Sequence, residues 1–330
     1  MPRVGHGKEP ITSVTGSSPY EFVRECGQLD ELLQRSARVA PESVLRRLPD
    51  GAVTYGAVDR ETDAFAHALQ DAGVSTGDRV AILAENGVGY IAAFYGAMRA
   101  GCIAVPVNTA VDASGLAHVL QDSGARVLAM TKRFLRVVEA TLGSEEAPDC
   151  VELVFGETPL AGGRARHRAW SPGAEGGVDG VVAIGDVGAD ADSGLEDSPA
   201  DDVALSPAAT KVSPDDPAAI IYTSGSTGAP RGATLSHRNL LTNTWSILEY
   251  LALGADDRML VILPVYYVYG GSLLNTHVAV GASLIIGTEL FFPTKVVTRM
   301  HDDGATGFAG VPSSFNVLLH RSRLAEDVPS

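Results

Sequence analysis

A chain of 330 residues is too long for one simple hydrophobic core, so two folded units are expected. Its 45% apolar and 6% aromatic content is that of an ordinary soluble globular protein. A formal net charge of −15 excludes a global field that would favour nucleic acid or an anionic membrane surface.

No apolar run reaches the roughly 18 residues of a membrane span, and Met1 to Tyr20 is polar, without the apolar core of a signal peptide. That first stretch, 1–19, reads as a disordered tail. Cys26, Cys102 and Cys150 have no metal-ligand spacing and read as buried thiols of a cytoplasmic protein. Tyr20 to Val39 carries apolar residues near helical spacing, and Ala52 to Tyr55 is a short strand. Val58, Thr62, Phe65, Leu69 and Ala72 then share one helical face, with Gly73 as the C-cap. Arg79 to Ala84 is a strand, Tyr90 to Ala100 a helix closed by Gly101, and Cys102 to Val107 the next strand. Leu116 to Gln121, Arg126 to Met130, Phe134 to Leu142 and Val151 to Phe155 continue the alternation. Strands this uniformly apolar, separated by helices, predict a parallel sheet covered on both faces, making 20–156 a first α/β subdomain.

The pattern stops at Gly156. Through Pro217 the chain is rich in Gly, Ala, Pro, Asp and Ser, with 12 acidic against 4 basic residues, about half of the net negative charge. Such a segment buries too little apolar surface to order itself, so 157–216 is expected to be a flexible, solvated insertion, with Val181 to Ile184 as one candidate strand.

A second α/β subdomain is expected over 217–330. Ala218 to Tyr222 is a buried strand that breaks into Thr223-Ser-Gly-Ser-Thr-Gly228, followed by Pro230 and Arg231. Small residues leave backbone N–H groups unshielded, the hydroxyls of Thr223, Ser224, Ser226 and Thr227 add donors, and Arg231 adds charge: a composition suited to a polyphosphate. Ala233 to Leu235 is a brief strand, and Ser236 can cap a helix through Leu251. Met259 to Leu263 is a strand, and Val265-Tyr-Tyr-Val-Tyr-Gly-Gly271 opens a helix to Val280. A strand (Ala282 to Ile286), a helix (Lys295 to Met300), a strand (Thr306 to Gly310) and a last helix to His320 complete the chain.

The glycine loop is neither a Walker A sequence nor a dinucleotide fingerprint, and Ser226 is not in a Gly-x-Ser-x-Gly elbow. Because Arg231 to Leu235 returns as strand, no helix dipole is expected at the loop. No zinc-type His or Cys motif is present, so no metal ligand is assigned. His237 and His277 receive no catalytic role.

Tyr222-Thr-Ser-Gly-Ser-Thr-Gly-Ala-Pro-Arg-Gly232, with Thr234-Leu-Ser-His-Arg-Asn-Leu240, resembles the phosphate-loop signature of AMP-forming adenylating enzymes, the superfamily of acyl-CoA synthetases, peptide-synthetase adenylation domains and luciferases. Thr54-Tyr55, Gly77 to Ala81, Met98 to Asn108, Leu120 to Val127, Pro264 to Gly270 and Gly310 to Phe315 resemble further segments of that family, so the likeness covers about residues 28–156 and 216–320.

The resemblance implies an α/β fold of layered parallel sheets flanked by helices, like a truncated N-terminal domain of the adenylate-forming fold. It implies a ligase that uses ATP and Mg²⁺ to convert a small carboxylic acid into an acyl-adenylate, then passes the acyl group to CoA or to a carrier-protein phosphopantetheine. Thr223, Ser224, Gly225, Ser226, Thr227 and Gly228 would wrap the ATP phosphates beside Arg231, a position where most members have Lys. Tyr266, Tyr267 and Gly270 correspond to the aromatic motif of the acyl pocket, although Tyr267 stands where many acyl-CoA synthetases have His. The family's later Tyr-Gly-x-Thr-Glu and Thr-Gly-Asp segments and its mobile C-terminal domain have no counterpart up to Ser330. The chain is therefore expected to be inactive alone, with a longer product or a separate chain supplying that half. A competing expectation is a non-catalytic remnant or interaction protein with the same fold.

Overall fold

A computed structural model describes residues 19–48, 51–144, 147–156, 165–170, 210–223, 230–287 and 290–324. The tail 1–18, the candidate strand Val181 to Ile184 and loop residues Ser224 to Gly228 lie outside them. In chain order the described elements are α1 (Pro19–Glu25), α2 (Glu31–Val39), β1 (Val44–Leu48), β2 (Gly51–Thr54), α3 (Tyr55–Asp71), β3 (Arg79–Leu83), α4 (Val88–Arg99), β4 (Ile103–Pro106), α5 (Ala113–Ser123), β5 (Val127–Met130) and, after a 3-10 turn, α6 (Leu135–Leu142). They continue with β6 (Leu153–Gly156), β7 (Arg166–Ala169), β8 (Pro217–Thr223), β9 (Arg231–Ser236), α7 (His237–Leu251), β10 (Arg258–Val261), α8 (Val268–Val280), β11 (Ser283–Ile285), α9 (Pro293–Asp302), β12 (Gly307–Ala309) and α10 (Pro312–Arg321).

Two compact units result, one formed by 60–237 and the other by 1–59 with 238–330. The first holds a seven-stranded sheet of order β7-β6-β5-β3-β4-β8-β9, parallel except for the β8–β9 hairpin. Alternate strand residues Ala81, Leu83, Val105, Val107, Leu128, Met130 and Val154 join Leu116, Val119 and Leu120 of α5 and Val138 and Leu142 of α6 in one buried cluster. Neighbours such as Val80, Ile82, Ala104 and Phe155 are buried as well, which is why these strands read as unbroken apolar runs. α3 and α4 approach so closely that a Cβ on Gly96 would lie 2.9 Å from the Thr62 carbonyl oxygen. Gly73 and Gly101, expected to close helices, both adopt positive φ, at 76° and 77°.

The other unit holds a five-stranded sheet of order β12-β10-β11-β1-β2. Leu260 and Ile285 pack with Val296, Val297 and Met300 of α9 and Leu318 of α10. Tyr55 donates its hydroxyl to the Ala282 carbonyl at 2.7 Å, and Ser36 donates to the Val278 carbonyl at 2.6 Å.

Several expectations are corrected. The division does not fall within 157–216, because β8 and β9 extend the first sheet while β1 and β2 join β11 of the second. The stretch expected to be a flexible insertion contributes β7, parallel to β6, followed by the fully buried Trp170 packed 5.0 Å from the Phe65 ring. The single helix expected over Tyr20 to Val39 is broken at 26–30, where the Glu31 carboxylate accepts from the Gly27 and Gln28 N–H groups, both at 3.2 Å, and holds the break in place. All three cysteines are free thiols, and Cys150 is only half-buried. Among the described residues no helix is long and apolar enough to cross a membrane.

Candidate functional site

β8 runs parallel to β4, with Ala219 opposite Ala104, and its apolar residues Ala218, Ala219 and Ile221 are buried. At its carboxyl end it reverses into β9, and the antiparallel register sets Arg231 directly across from Thr223 and Gly232 across from Tyr222. The Thr223–Arg231 pair therefore stands at the carboxyl edge of the sheet, where ligands of open α/β sheets bind. Thr223 and Arg231 are both exposed there. Gly232 is dictated by packing: a Cβ would stand 2.6 Å from Cγ2 of Ile220 and 3.0 Å from Cζ of Tyr222. The return as strand, not helix, agrees with the sequence reading.

Two residues that sequence reasoning passed over join this hairpin from α5. Asp112 caps that helix, accepting from the Gly115 N–H at 2.8 Å, and Gly124 closes it in the left-handed region. His118 and Asp122, four residues apart, share the face turned to the hairpin. His118 Nε2 donates to the Pro230 carbonyl at 3.0 Å, and its ring stands edge-on to Tyr222 with centroids 6.5 Å apart. The Tyr222 hydroxyl donates to Asp122 Oδ2 at 2.6 Å. Burial first, and then the Asp122 carboxylate, push the Tyr222 phenol well above its ordinary pKa, so it stays protonated as a donor. The signal in sequence was the i,i+4 pair of polar residues on the helix face opposite its buried Leu116, Val119 and Leu120.

The same sheet edge carries Glu85 after β3, which accepts from the Thr131 hydroxyl after β5 and lies 3.8 Å from Arg133. At the foot of β9, His237 is 1% exposed, and desolvation lowers its pKa from 6.5 to about 4, against the opposing pull of Asp216. The folded state thus holds this ring neutral while the unfolded chain protonates it below pH 6.5. Its contribution to stability is complete above pH 6.5 and lost as pH falls to about 4, a loss of ~3 kcal/mol. Urea midpoints of wild type and His237→Gln across this window check the sign: the wild type should fall more steeply, and equal slopes would refute it.

The aromatic motif belongs to the other unit. After β10, Tyr266 turns inward and is 8% exposed, whereas Tyr267 and Tyr269 remain about half exposed at the start of α8. The rings of Tyr266 and Tyr267 lie 4.5 Å apart. A Cβ on Gly270 would fall 2.1 Å from the Pro264 carbonyl oxygen, so only glycine fits. Of the residues expected at the site, Thr223 and Arg231 are thus brought face to face, and Tyr266, Tyr267 and Gly270 form a separate group. Ser224, Gly225, Ser226, Thr227 and Gly228 lie outside the described residues.

Comparison with known proteins matches these elements to one family. The family model described as "AMP-binding enzyme" matches residues 33–330. Feruloyl-CoA synthase of Amycolatopsis sp. is 29% identical over 289 residues, 88% of this chain and 50% of that protein. A fatty acid–[acyl-carrier-protein] ligase of Streptomyces coeruleorubidus is 28% identical over 271 residues, 81% of this chain and 44% of that protein. The chain spans about half the length of the curated relatives it matches. Among solved structures, the inhibitor-bound N-terminal domain of FACL13 from Mycobacterium tuberculosis superposes with a TM-score of 0.74 at 25% identity, over 92% of this chain and 68% of that one. With a family model matched over most of its length, on both sides of the hairpin, the chain belongs to the AMP-binding enzyme family.

Proposed function

We propose that this chain carries the phosphate-side elements of an AMP-forming acid–thiol ligase. In that reaction a carboxylate oxygen attacks the α-phosphorus of ATP and the bond to the β-phosphate breaks. An acyl-adenylate and pyrophosphate result, and a thiol of CoA or of a carrier-protein phosphopantetheine then takes the acyl group and releases AMP. The observation that carries the reading is the β8–β9 hairpin, which presents a loop of small and hydroxylated residues with Arg231 across from Thr223 at the carboxyl edge of a parallel sheet. Charge builds on the leaving pyrophosphate, and preoriented N–H and O–H donors with a guanidinium are suited to stabilising it.

In this reading Thr223 to Gly228 wrap the phosphates, and Tyr267 and Tyr269 line the acid's pocket, with Tyr266 as the packed base beneath them. Among the described residues no group of three His, Cys, Asp or Glu side chains is placed to hold a metal ion. In this reading Mg²⁺ accompanies the ATP phosphates. The substrate is assigned as a class, a small carboxylic acid, since one relative is named for ferulate and another for fatty acids.

The test is ATP–pyrophosphate exchange by the polypeptide containing residues 1–330, run with a panel of aromatic and fatty acids. Exchange that depends on the acid is expected when that polypeptide is supplied with the family's C-terminal half, and none from residues 1–330 alone. MgATP binding without exchange for any acid would reduce the chain to a nucleotide-binding module, and no MgATP binding at all would overturn the reading.

A further inference from the structure

We propose that His118 and Asp122 of α5 are positioning residues that brace the base of the phosphate hairpin and thereby set where Thr223 and Arg231 stand. The proposal rests on the reading of that hairpin as a nucleotide-phosphate site.

The two anchored residues are the immediate neighbours of the last paired positions. Tyr222, bonded to Asp122, precedes Thr223, and Pro230, whose carbonyl accepts from His118, precedes Arg231. One helix thus grips both sides of the loop, through contacts 100 and 112 residues apart in sequence. α5 is a firm support: Leu116, Val119 and Leu120 are buried in the core of its unit, and both its ends are capped.

The hairpin needs such support. β9 is an edge strand with Arg231 to Thr234 exposed, and edge strands of this kind open locally at low cost. Ordering a segment on binding costs conformational entropy, and Thr223 and Arg231 stand at its two ends. Fixing both ends of the loop before the ligand arrives lowers that cost, and it keeps the cation in register with the donors. A hydroxyl or imidazole merely seeking a partner would not account for two bonds from one helical face landing on opposite sides of one loop.

The test is calorimetric titration of the chain with MgATP and with magnesium tripolyphosphate, on wild type, His118→Ala, His118→Gln and Tyr222→Phe. His118→Ala and Tyr222→Phe are expected to weaken both probes about tenfold, the value of one hydrogen bond that fixes a loop end. His118→Gln keeps an N–H donor at similar reach and is expected to stay within about twofold of wild type. Tyr222→Phe retains the ring packing, so a purely structural role for the ring would leave its affinity unchanged. Wild-type affinity in all three variants, or a glutamine variant as weak as the alanine one, overturns the brace. If His118→Ala fails to fold, the other two variants still decide. Should wild type bind neither probe, the phosphate reading falls and the brace with it. If wild type and variants bind alike, the brace alone falls.

Discussion

Gly270→Ala is expected to destabilise the unit formed by 1–59 and 238–330 by ~3 kcal/mol or more, although it adds a single methyl group. The new Cβ would meet three backbone atoms: the Pro264 carbonyl oxygen at 2.1 Å, the Pro264 carbonyl carbon at 2.7 Å and Val265 Cα at 2.9 Å. No side-chain rotation relieves contacts of that kind. The Pro264 oxygen also accepts from the Tyr267 N–H at 3.3 Å, so moving it dismantles the turn that starts α8 and seats Tyr266 in its buried position. Neighbouring Gly271 provides the contrast. A Cβ there stands 3.5 Å from the Val265 carbonyl oxygen, an ordinary contact, and alanine restricts the unfolded chain more than glycine does. Scanning calorimetry should show the Gly270 variant melting roughly 10 °C below wild type, and the Gly271 variant level with it or slightly above. Equal melting points for the two variants would contradict the geometry.

Arg231→Ala is expected to cut acid-dependent ATP–pyrophosphate exchange by about 100-fold, the usual cost of removing one donor aimed at developing charge. The register leaves Arg231 at the first position of β9, across from Thr223, with its side chain exposed. Lysine at this position retains the charge but loses the planar fork, and Arg231→Lys is expected to keep exchange within about tenfold of wild type. Steady-state exchange on both variants, beside their melting points, separates the outcomes. An alanine variant with full exchange would remove Arg231 from the site, and a lysine variant as poor as alanine would make the fork, not the charge, the requirement.

Local pattern in the sequence was sufficient for the pieces on which these expectations rest. The apolar run of β8, the break into small residues and the return of β9 as strand were all legible, because burial on both faces and turn chemistry act within a few residues. The closing glycines Gly73 and Gly101 were legible for the same reason. Which strands would meet was decided only by the tertiary structure. β1 carries Arg46 and Arg47 and shows no apolar run, yet it pairs with β11, setting Arg46 opposite Leu284 and Arg47 opposite Ile285. β7 hides in a charged, glycine-rich stretch and becomes a strand because β6 offers it an edge. The brace from α5 belongs to the same class. His118 and Asp122 are ordinary polar residues on a helix until β8 and β9 pass beside them, and nothing local encodes a partner 100 or more residues away. By itself the sequence determined the loop, its cation and the family to which they belong. The fold determined where the loop is anchored, which tyrosines face solvent and how the chain divides, since those depend on register and packing between segments distant in sequence.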